Sequence, residues 1–520
     1  MYARVSAVAV VGIHGHLVSV EAHVGRGLPT LLLTGLPGPA VQDARERVRP
    51  AVENAGFEWP LRRVTVNLSR ADLRKEGPGF DLPVAVSVLA ATGQIPERRL
   101  HGYVLCGELS LRGALVPTPG VLAVAVAASR AGLRGVVVPG ANAAEAALVE
   151  GLHVVGAGTL GEVVGFARDT WTPSPPAARP APAPDRTVDF SEVRGQAEAR
   201  RGLEIAAAGG HNVLLVGSPG AGKTMLARRL PTILPAMTRQ EALDVTRLHS
   251  VAGLIPPGGA LVTSRPFRAP HHSVSAAGLL GGGSTLIRPG EVSLAHHGVL
   301  FLDEVTEFRR DVLEGLRLPL EDGRMVVVRA SGAVELPARF TLVAAANPCP
   351  CGYEGDRRRR CSCLPHRAAA YRMRLSGPLL DRIDIRLRVP RLSRAELLGS
   401  DPAEPSARIR ERVEGARDLQ RQRLARSSAT CNAEMGGAEA RREARLTDEA
   451  QRALARSVET FGLTGRGFDR ILKVARTVAD LERSEPTEAH HVLEAVRFRG
   501  EDAPIEGTSG TGGTRGSGVA

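Results

Sequence analysis

Residues 217 to 224 read Gly-Ser-Pro-Gly-Ala-Gly-Lys-Thr, and these residue types at this spacing suit the binding of a triphosphate. The three glycines carry no Cβ, so the backbone can wrap around phosphate groups and aim successive N–H groups at their oxygens. Lys223 is expected to reach the β- and γ-phosphates, while Thr224 supplies a hydroxyl to Mg²⁺. The residues predicted to contact the nucleotide here are Gly217, Ser218, Pro219, Gly220, Ala221, Gly222, Lys223 and Thr224.

A strand and a helix are predicted on the two sides of this octet. Residues 211–216 form a short, largely apolar run that suits a buried parallel strand, and residues 225–230 contain helix formers. The helix would direct its positive N-terminal end at the same anion. A strand–loop–helix unit of this kind predicts that the chain binds ATP or GTP.

Two further apolar runs end in polar side chains that suit nucleotide hydrolysis. Residues 298–302 lead into Asp303, which can hold Mg²⁺ through water, and Glu304, which can polarise the attacking water. Residues 340–346 lead into Asn347, whose amide can orient that water. A strand-terminating Asn-Pro turn describes the same pattern and does not exclude this role.

Four cysteines are crowded into one short segment. Cys349, Cys351, Cys361 and Cys363 form two C-x-C pairs, and four thiols on a short loop can bind Zn²⁺ tetrahedrally. Zinc motifs more often use C-x₂-C, so free thiols on a surface loop remain the alternative. The arginine run between the pairs, residues 357–360, suits either contact with phosphates or a solvated surface.

Composition limits the classes of protein to consider. The chain has 520 residues and a formal net charge of +12, which suits DNA or RNA but also fits an arginine-rich genome. No run approaches the about 18 apolar residues needed to span a bilayer, and the N-terminus lacks a signal-peptide cleavage pattern. The cysteine pattern does not look like a secreted disulfide framework. We therefore expect a cytoplasmic protein with no membrane partner.

Composition and periodicity also divide the chain into segments of an α/β multidomain protein. Apolar runs mixed with Ala-rich stretches predict an α/β or α+β domain at 1–168, and a Pro/Ala linker follows at 169–186. The nucleotide-binding core is expected at 187–390. Apolar residues recur at helical spacing within 391–500, and the Gly/Thr/Ser tail at 501–520 is predicted to be disordered.

The order of phosphate loop, Asp-Glu strand, Asn strand and helical segment resembles the AAA+ ATPases. That resemblance implies a P-loop α/β core with a parallel sheet and a helical C-terminal lid, and it places Gln196 in the segment that contacts adenine. The stretch from 376 to 384 resembles the arginine-finger segment of magnesium chelatase ATPase subunits, so Arg382 would reach the γ-phosphate of a neighbouring subunit. The stretch from 463 to 468 resembles the lid's sensor motif, with Arg466 as its arginine and Arg470 as a less favoured substitute.

Parts of the N-terminal domain resemble the proteolytic domain of Lon, notably Lys-Glu-Gly-Pro-Gly-Phe at 75–80 and the run at 107–117. That family uses a Ser–Lys dyad, in which the lysine activates a serine nucleophile. The matching positions here are Gly79 and Leu122. The resemblance therefore implies a Lon-protease-like α+β fold without peptidase activity.

Taken together, these segments resemble the YifB/ComM family of magnesium-chelatase-like ATPases over about residues 1–500 except the linker. The resemblance implies an ATPase that uses ATP and Mg²⁺ and assembles into a homo-oligomeric, hexameric ring. It also implies a DNA helicase-like motor that promotes branch migration during integration of transforming DNA. Two alternatives stay open, a magnesium-chelatase-like motor subunit and an ATP-dependent remodeller of protein complexes.

Overall fold

The computed structural model describes residues 1–70, 72–176, 188–256, 258–259, 261–283, 287–329, 332–356, 358–375, 377–394, 396 and 403–499. Most of the predicted linker and the whole of the predicted disordered tail lie outside these residues. The chain forms two compact units. The first comprises Met1–Asp189, Ala236–Ala344 and Met373–Leu379, and the second comprises Phe190–Pro235, Ala345–Arg372 and the described residues from Leu380 onward.

A mixed sheet organises the N-terminal part of the first unit. The strands of this part are β1 (Tyr2–Val11), β2 (His14–Gly25), β3 (Thr30–Thr34), β4 (Arg63–Leu68), β5 (Tyr103–Leu105), β6 (Glu108–Leu109), β7 (Leu115–Val116), β8 (Gly135–Pro139) and β9 (His153–Ala157). The sheet has the order β3-β4-β2-β1-β5-β8-β9, while β6 and β7 pair separately. Strand β2 is antiparallel to both its neighbours, and the remaining neighbours in the sheet are parallel.

The two faces of this sheet bury different sets of apolar side chains. Successive strand residues point to opposite faces, so Val5 and Ala7 pack in one cluster with the helix Asp81–Ala91, and Val8 packs in another with the helix Val121–Arg130. The helices of this part are Pro39–Gln42, Ala44–Asn54, Asp81–Ala91, Val121–Arg130, Ala143–Ala146 and Leu160–Ala167.

The rest of the first unit contains three parallel strands and a hairpin. Strand β11 (Phe267–Arg268) pairs with β12 (Val299–Leu302), which pairs with β15 (Thr341–Ala346), and β13 (Arg324–Arg329) forms an antiparallel hairpin with β14 (Gly332–Pro337). The helices here are Arg239–Val251, Ala276–Leu280, Glu291–Leu294, Arg310–Glu314 and Arg317–Asp322.

This part of the first unit is joined to the N-terminal sheet by hydrogen bonds and close packing. The Gly120 N–H donates to the Ser250 carbonyl at 3.1 Å, and the Ser250 hydroxyl donates to the buried Glu145 carboxylate. At the turn between β1 and β2, a Cβ added at Gly12 would lie 2.6 Å from Val334 Cγ1 of β14. The N-terminal sheet and the described residues of 236–344 therefore belong to one compact unit.

The second unit has a small parallel core. Strand β10 (Val213–Val216) pairs with β16 (Ile385–Arg388), and the Gly217 N–H donates to the carbonyl of Ala346, the last residue of β15, at 3.2 Å. The helices of this core are Ala197–Gly209, Lys223–Ile233 and Pro365–Arg372, while the short helix Gly377–Leu380 has all but its last residue in the first unit. The strand and helix that flank the phosphate-loop octet are thus present where the sequence predicts them, and the predicted α/β fold class with a parallel sheet is confirmed.

The C-terminal part of the second unit is helical, as the spacing of its apolar residues predicts. Its helices are Ser406–Arg423, Gly437–Glu443, Asp448–Phe461, Gly465–Leu481 and Ala489–Arg497. A buried ionic cluster joins the helices Ser406–Arg423 and Gly465–Leu481, because Asp480 accepts hydrogen bonds from Arg423 at 2.6 and 2.8 Å, from Arg476 at 3.1 Å and from Asn432 at 2.8 Å. None of the described helices of the chain has the length and apolar character that crossing a membrane requires.

We expect Asp480→Ala to destabilise the helical part by about 3–5 kcal/mol, because it leaves two buried guanidinium groups without their counter-ion. The Asp480 side chain is 1% exposed, and that of Arg476 is 2% exposed. The matched control is Asp418→Ala, since Asp418 is 59% exposed in its pair with Arg421 and should change stability by less than about 0.5 kcal/mol. Hydrogen exchange in the helix Gly465–Leu481 measures both effects, and equal exchange in the two variants would contradict the prediction.

Candidate nucleotide-binding site

The phosphate-loop octet lies in the second unit, where it follows β10 and ends in the first two residues of the helix Lys223–Ile233. Its backbone needs glycine at particular positions, because Gly220 and Gly222 have φ values of 75° and 97°, where a Cβ is disfavoured. Gly217 is required for a different reason, since an added Cβ would lie 2.2 Å from the Val389 carbonyl oxygen. The loop conformation therefore depends on the glycines that predicted it.

Lys223 places its ammonium group against the loop itself. Its Nζ donates to the carbonyls of Gly217 at 2.6 Å and Ser218 at 3.2 Å, and to the Oδ1 atom of Asn347 at 3.0 Å. The residue is only 9% exposed, so these acceptors compensate for the loss of water around the charge. Two of the predicted site residues, Lys223 and Asn347, are thereby in direct contact.

Gln196 lies beside the same loop. Its Nε2 donates to the Pro390 carbonyl at 2.6 Å and lies 3.4 Å from the Ala221 carbonyl, and the residue has a left-handed φ of 51°. Its Oε1 atom is buried and has no hydrogen-bond partner among the residues that the structure describes. A buried acceptor without a donor is rare and costly, and the exocyclic amino group of adenine is a donor of the right kind. The unpaired acceptor is compatible with the sequence-based prediction that Gln196 lies in the segment that contacts adenine, which stays a prediction.

Asp303 and Glu304 lie in the first unit, directly after the buried strand β12. The Oδ1 atom of Asp303 accepts the N–H of Glu304 at 3.0 Å, and the Glu304 side chain is exposed. Glu304 has φ 50° and ψ 46°, a left-handed conformation that costs a residue with a Cβ about 1–2 kcal/mol. Such strain is concentrated at functional positions, where the direction of a side chain matters more than local stability.

The arginines predicted from the finger and sensor motifs differ in exposure. The Arg466 side chain is 63% exposed, with Nη1 3.5 Å from Asp381 Oδ2. The Arg470 side chain is 9% exposed and lies 3.6 Å from Asp384, and burial lowers its pKa to about 10. Arg382 is half-buried. Arg466 is thus the more accessible of the two sensor candidates, while Arg470 belongs to the interior of the second unit.

Asp356 is a residue near the phosphate loop that the sequence reasoning missed. The Ser218 hydroxyl donates to its Oδ2 at 2.7 Å, and the Arg391 Nε lies 3.3 Å from the same oxygen. The hydrogen bond from Ser218 and the backbone N–H of Arg358 hold the pKa of the Asp356 carboxyl below its usual value. Asp356 is 138 residues from Ser218 in the chain. The only sequence feature that singles out Asp356 is its position between the two cysteine pairs.

The four clustered cysteines converge in the second unit. The Sγ atom of Cys349 lies 3.4 Å from that of Cys351 and 3.7 Å from that of Cys361. The Cys363 Sγ accepts the Cys351 N–H at 3.3 Å, and all four sulfurs lie within 4.8 Å of one another. All four are free thiols.

The positions that match the Lon dyad hold no catalytic side chains. Gly79 lies against Cys106, since an added Cβ would be 3.0 Å from its Sγ, and Leu122 is fully buried. Nearby, Lys75 is also fully buried, with Nζ donating to the carbonyls of Gly35 and Arg70. Its role in holding these two loops could not be predicted from the sequence.

Three family models match the chain. The model described as magnesium chelatase, subunit ChlI, matches residues 189–397, and the model of the C-terminal part of subunit ChlI matches residues 403–499. The third, described as subunit ChlI of Mg-chelatase, matches residues 20–142.

Similar proteins match over nearly their whole length. The chain is 44% identical over 496 residues to an uncharacterised protein of Mycobacterium tuberculosis, which covers 95% of this chain and 98% of that protein. It is 41% identical over 499 residues to the uncharacterised protein YifB of Escherichia coli, covering 95% and 96%. It is also 41% identical over 507 residues to the competence protein ComM of Haemophilus influenzae, covering 96% and 97%.

A weaker, partial likeness agrees with the Lon resemblance. The chain is 27% identical over 205 residues to the Lon protease of Geobacter metallireducens, which covers 37% of this chain and 24% of that protein. The chain therefore resembles both chelatase subunits and Lon, which is the combination of resemblances that the sequence motifs indicate.

We expect Lys223→Ala to abolish binding of ATP, because it removes the ammonium group that the loop carbonyls and Asn347 hold in place. The matched control is Arg228→Ala, an exposed residue of the same helix, which should bind as the unchanged protein does. Titration of each protein with a fluorescent ATP analogue measures the difference. Tight binding by Lys223→Ala would contradict the assignment.

Proposed function

The chain belongs to the YifB/ComM family of magnesium-chelatase-like AAA+ proteins, and from this membership we propose that it is an ATP-hydrolysing ring motor that acts on DNA. The geometry of the phosphate loop carries the proposal of ATP binding, because Lys223 is held by acceptors of the loop and of Asn347. The buried acceptor of Gln196 supports adenine as the base. ATP and Mg²⁺ are the cofactors that the family implies.

The proposed hydrolysis assigns one task to each polar side chain. The Thr224 hydroxyl and, through water, the Asp303 carboxylate hold Mg²⁺, whose charge offsets that of the phosphates. Glu304 polarises the attacking water and Asn347 orients it. These assignments come from the family's motifs, and the left-handed backbone at Glu304 supports a role for its carboxylate.

We propose a ring of subunits because an arginine finger acts on the nucleotide that a neighbouring subunit binds. Arg382 would contact the γ-phosphate bound to the next subunit, where a guanidinium group can raise the rate by about 10³–10⁵. Arg466 would act as the sensor arginine of the lid, and its 63% exposure suits contact with a ligand. Six copies of the chain are the ring size that the family resemblance implies.

DNA is the proposed substrate for two reasons. The formal net charge of +12 favours a polyanion, and the chain matches a competence protein over 97% of that protein's length. Within this proposal, branch migration during recombination of transforming DNA is the specific activity.

The six free thiols suit a reducing compartment, so we propose that the motor acts in the cytoplasm.

We expect Glu304→Gln to bind ATP with unchanged affinity but to hydrolyse it at least about 100-fold more slowly, because the amide cannot accept a proton from water. Glu307→Gln is the matched control, since Glu307 is an exposed acid three residues further on that pairs with Arg374. Steady-state phosphate release, measured beside nucleotide binding, separates the two steps. Near-normal turnover by Glu304→Gln would remove Glu304 from the catalytic role.

The proposed substrate is tested by measuring ATP hydrolysis with and without single-stranded and branched DNA. We expect stimulation of several-fold that falls steeply as salt rises, because contacts with phosphates release counter-ions. Glu304→Gln is the matched control for contaminating ATPases. Hydrolysis that no DNA stimulates would reject the DNA motor and favour the remodeller of protein complexes or the chelatase-like motor subunit.

A further inference from the structure

The four clustered cysteines have the dimensions of a tetrathiolate metal site. A Zn–S bond of about 2.3 Å in a tetrahedron places neighbouring sulfurs about 3.8 Å apart. The separations of Cys349 from Cys361 and of Cys351 from Cys361 are 3.7 and 3.6 Å, and that of Cys349 from Cys351 is 3.4 Å. The folded loop therefore brings its sulfurs close to the spacing that a zinc ion needs.

The electrostatics of the cluster also suit a soft cation. The backbone N–H groups of Ser362 and Tyr353 donate to the Cys351 sulfur, and the Cys351 N–H donates to the Cys363 sulfur at 3.3 Å, so donors face the sulfurs from the backbone. Four thiolates around one divalent cation carry a net negative charge. Arg358, Arg359 and Arg360 are exposed in the same segment and offer positive charge nearby.

The segment between the two cysteine pairs contacts the phosphate loop. Asp356 accepts the Ser218 hydroxyl at 2.7 Å, and its other oxygen accepts the backbone N–H groups of Arg358 and Arg359 at 2.8 and 3.0 Å. Gly352 lies directly on Pro219, because an added Cβ would be 2.5 Å from Pro219 Cδ. The shape of this segment therefore bears directly on the phosphate loop.

A second connection runs through the start of the same segment. Asn347, which accepts the Lys223 ammonium group at 3.0 Å, is two residues before Cys349. The cysteine cluster is therefore linked by two residues of backbone to Asn347, and the segment that it encloses contacts Ser218 and Pro219 of the phosphate loop. The segment contains few apolar side chains that could fix its shape by packing.

We propose that Cys349, Cys351, Cys361 and Cys363 bind one Zn²⁺ and that the metal fixes residues 347–356 against the phosphate loop. The first part stands on the sulfur geometry alone, and the second rests on the proposed ATP-binding function. The metal is structural, because four protein thiolates complete a tetrahedral shell and leave no position for a reacting group. Its binding releases the protons of the cysteine thiols.

Metal analysis of the full-length protein, purified without chelator, tests the site. We expect about one zinc per chain, retention of the zinc by the control Cys431→Ala, and less than a tenth of an equivalent in Cys361→Ser/Cys363→Ser. Cys431 is a buried free thiol of the same unit outside the cluster. If the double variant does not fold, the unchanged protein loaded with Co²⁺ should show the visible d–d absorption of a tetrahedral thiolate site. Absence of zinc and of that spectrum, or iron or disulfides in place of zinc, would overturn the proposal.

Nucleotide binding tests whether the zinc fixes residues 347–356 against the phosphate loop. Loss of zinc in the double variant Cys361→Ser/Cys363→Ser should weaken binding of a non-hydrolysable ATP analogue about tenfold or more. Asp356→Ala should keep its zinc and weaken nucleotide binding in the same direction, while Cys431→Ala changes neither. Unchanged affinity for the ATP analogue after loss of zinc would reject the role of the metal in fixing residues 347–356, and the ATPase proposal would stand. If the unchanged protein binds zinc but no nucleotide, the proposed function fails and the metal site stands.

Discussion

A nearly buried ammonium group constrains the centre of the second unit. Lys223 is 9% exposed, and a charge removed from water needs nearby acceptors or costs several kcal/mol. The carbonyls of Gly217 and Ser218 must therefore turn inward, and Asn347 must follow β15 closely enough to supply its amide oxygen. The phosphate loop and the start of the cysteine segment are held in one arrangement by this requirement. The same group that would bind phosphate also keeps its own binding loop in shape.

The three lysines of the chain show how selectively this residue is used where arginine supplies most of the positive charge. Lys75, Lys223 and Lys473 each direct Nζ at backbone carbonyls, and each is buried or half-buried. An ammonium group is compact and presents donors in several directions, whereas a guanidinium group is planar and larger. Lysine is therefore found where a small cation fits among main-chain oxygens, whereas arginine occupies exposed positions and also buried ion pairs such as that of Arg476 with Asp480.

Local patterns predicted much of this fold, and long-range contacts account for the rest. The octet, the strand before it and the helix after it could be read from neighbouring residues, as could the apolar spacing within Gly465–Leu481. The contact of Asp356 with Ser218 spans 138 residues, and no motif signals it. The burial of Lys75 and the different exposures of Arg466 and Arg470 depend on which helices and loops pack against them. The hydrogen bond from Ser250 to Glu145 also depends on long-range packing, since a single sequence does not indicate which surfaces will meet.

The backbone at Glu304 imposes a steric cost at that position. At φ 50° a glycine would avoid the cost that any other side chain meets. Substitutions that stabilise a protein are easy to find, and removing a strained Cβ is among the simplest. Glycine at this position would relax the backbone after β12 and would remove the carboxylate at the same time. Stability of the loop and retention of the acidic group are therefore opposed at this one residue.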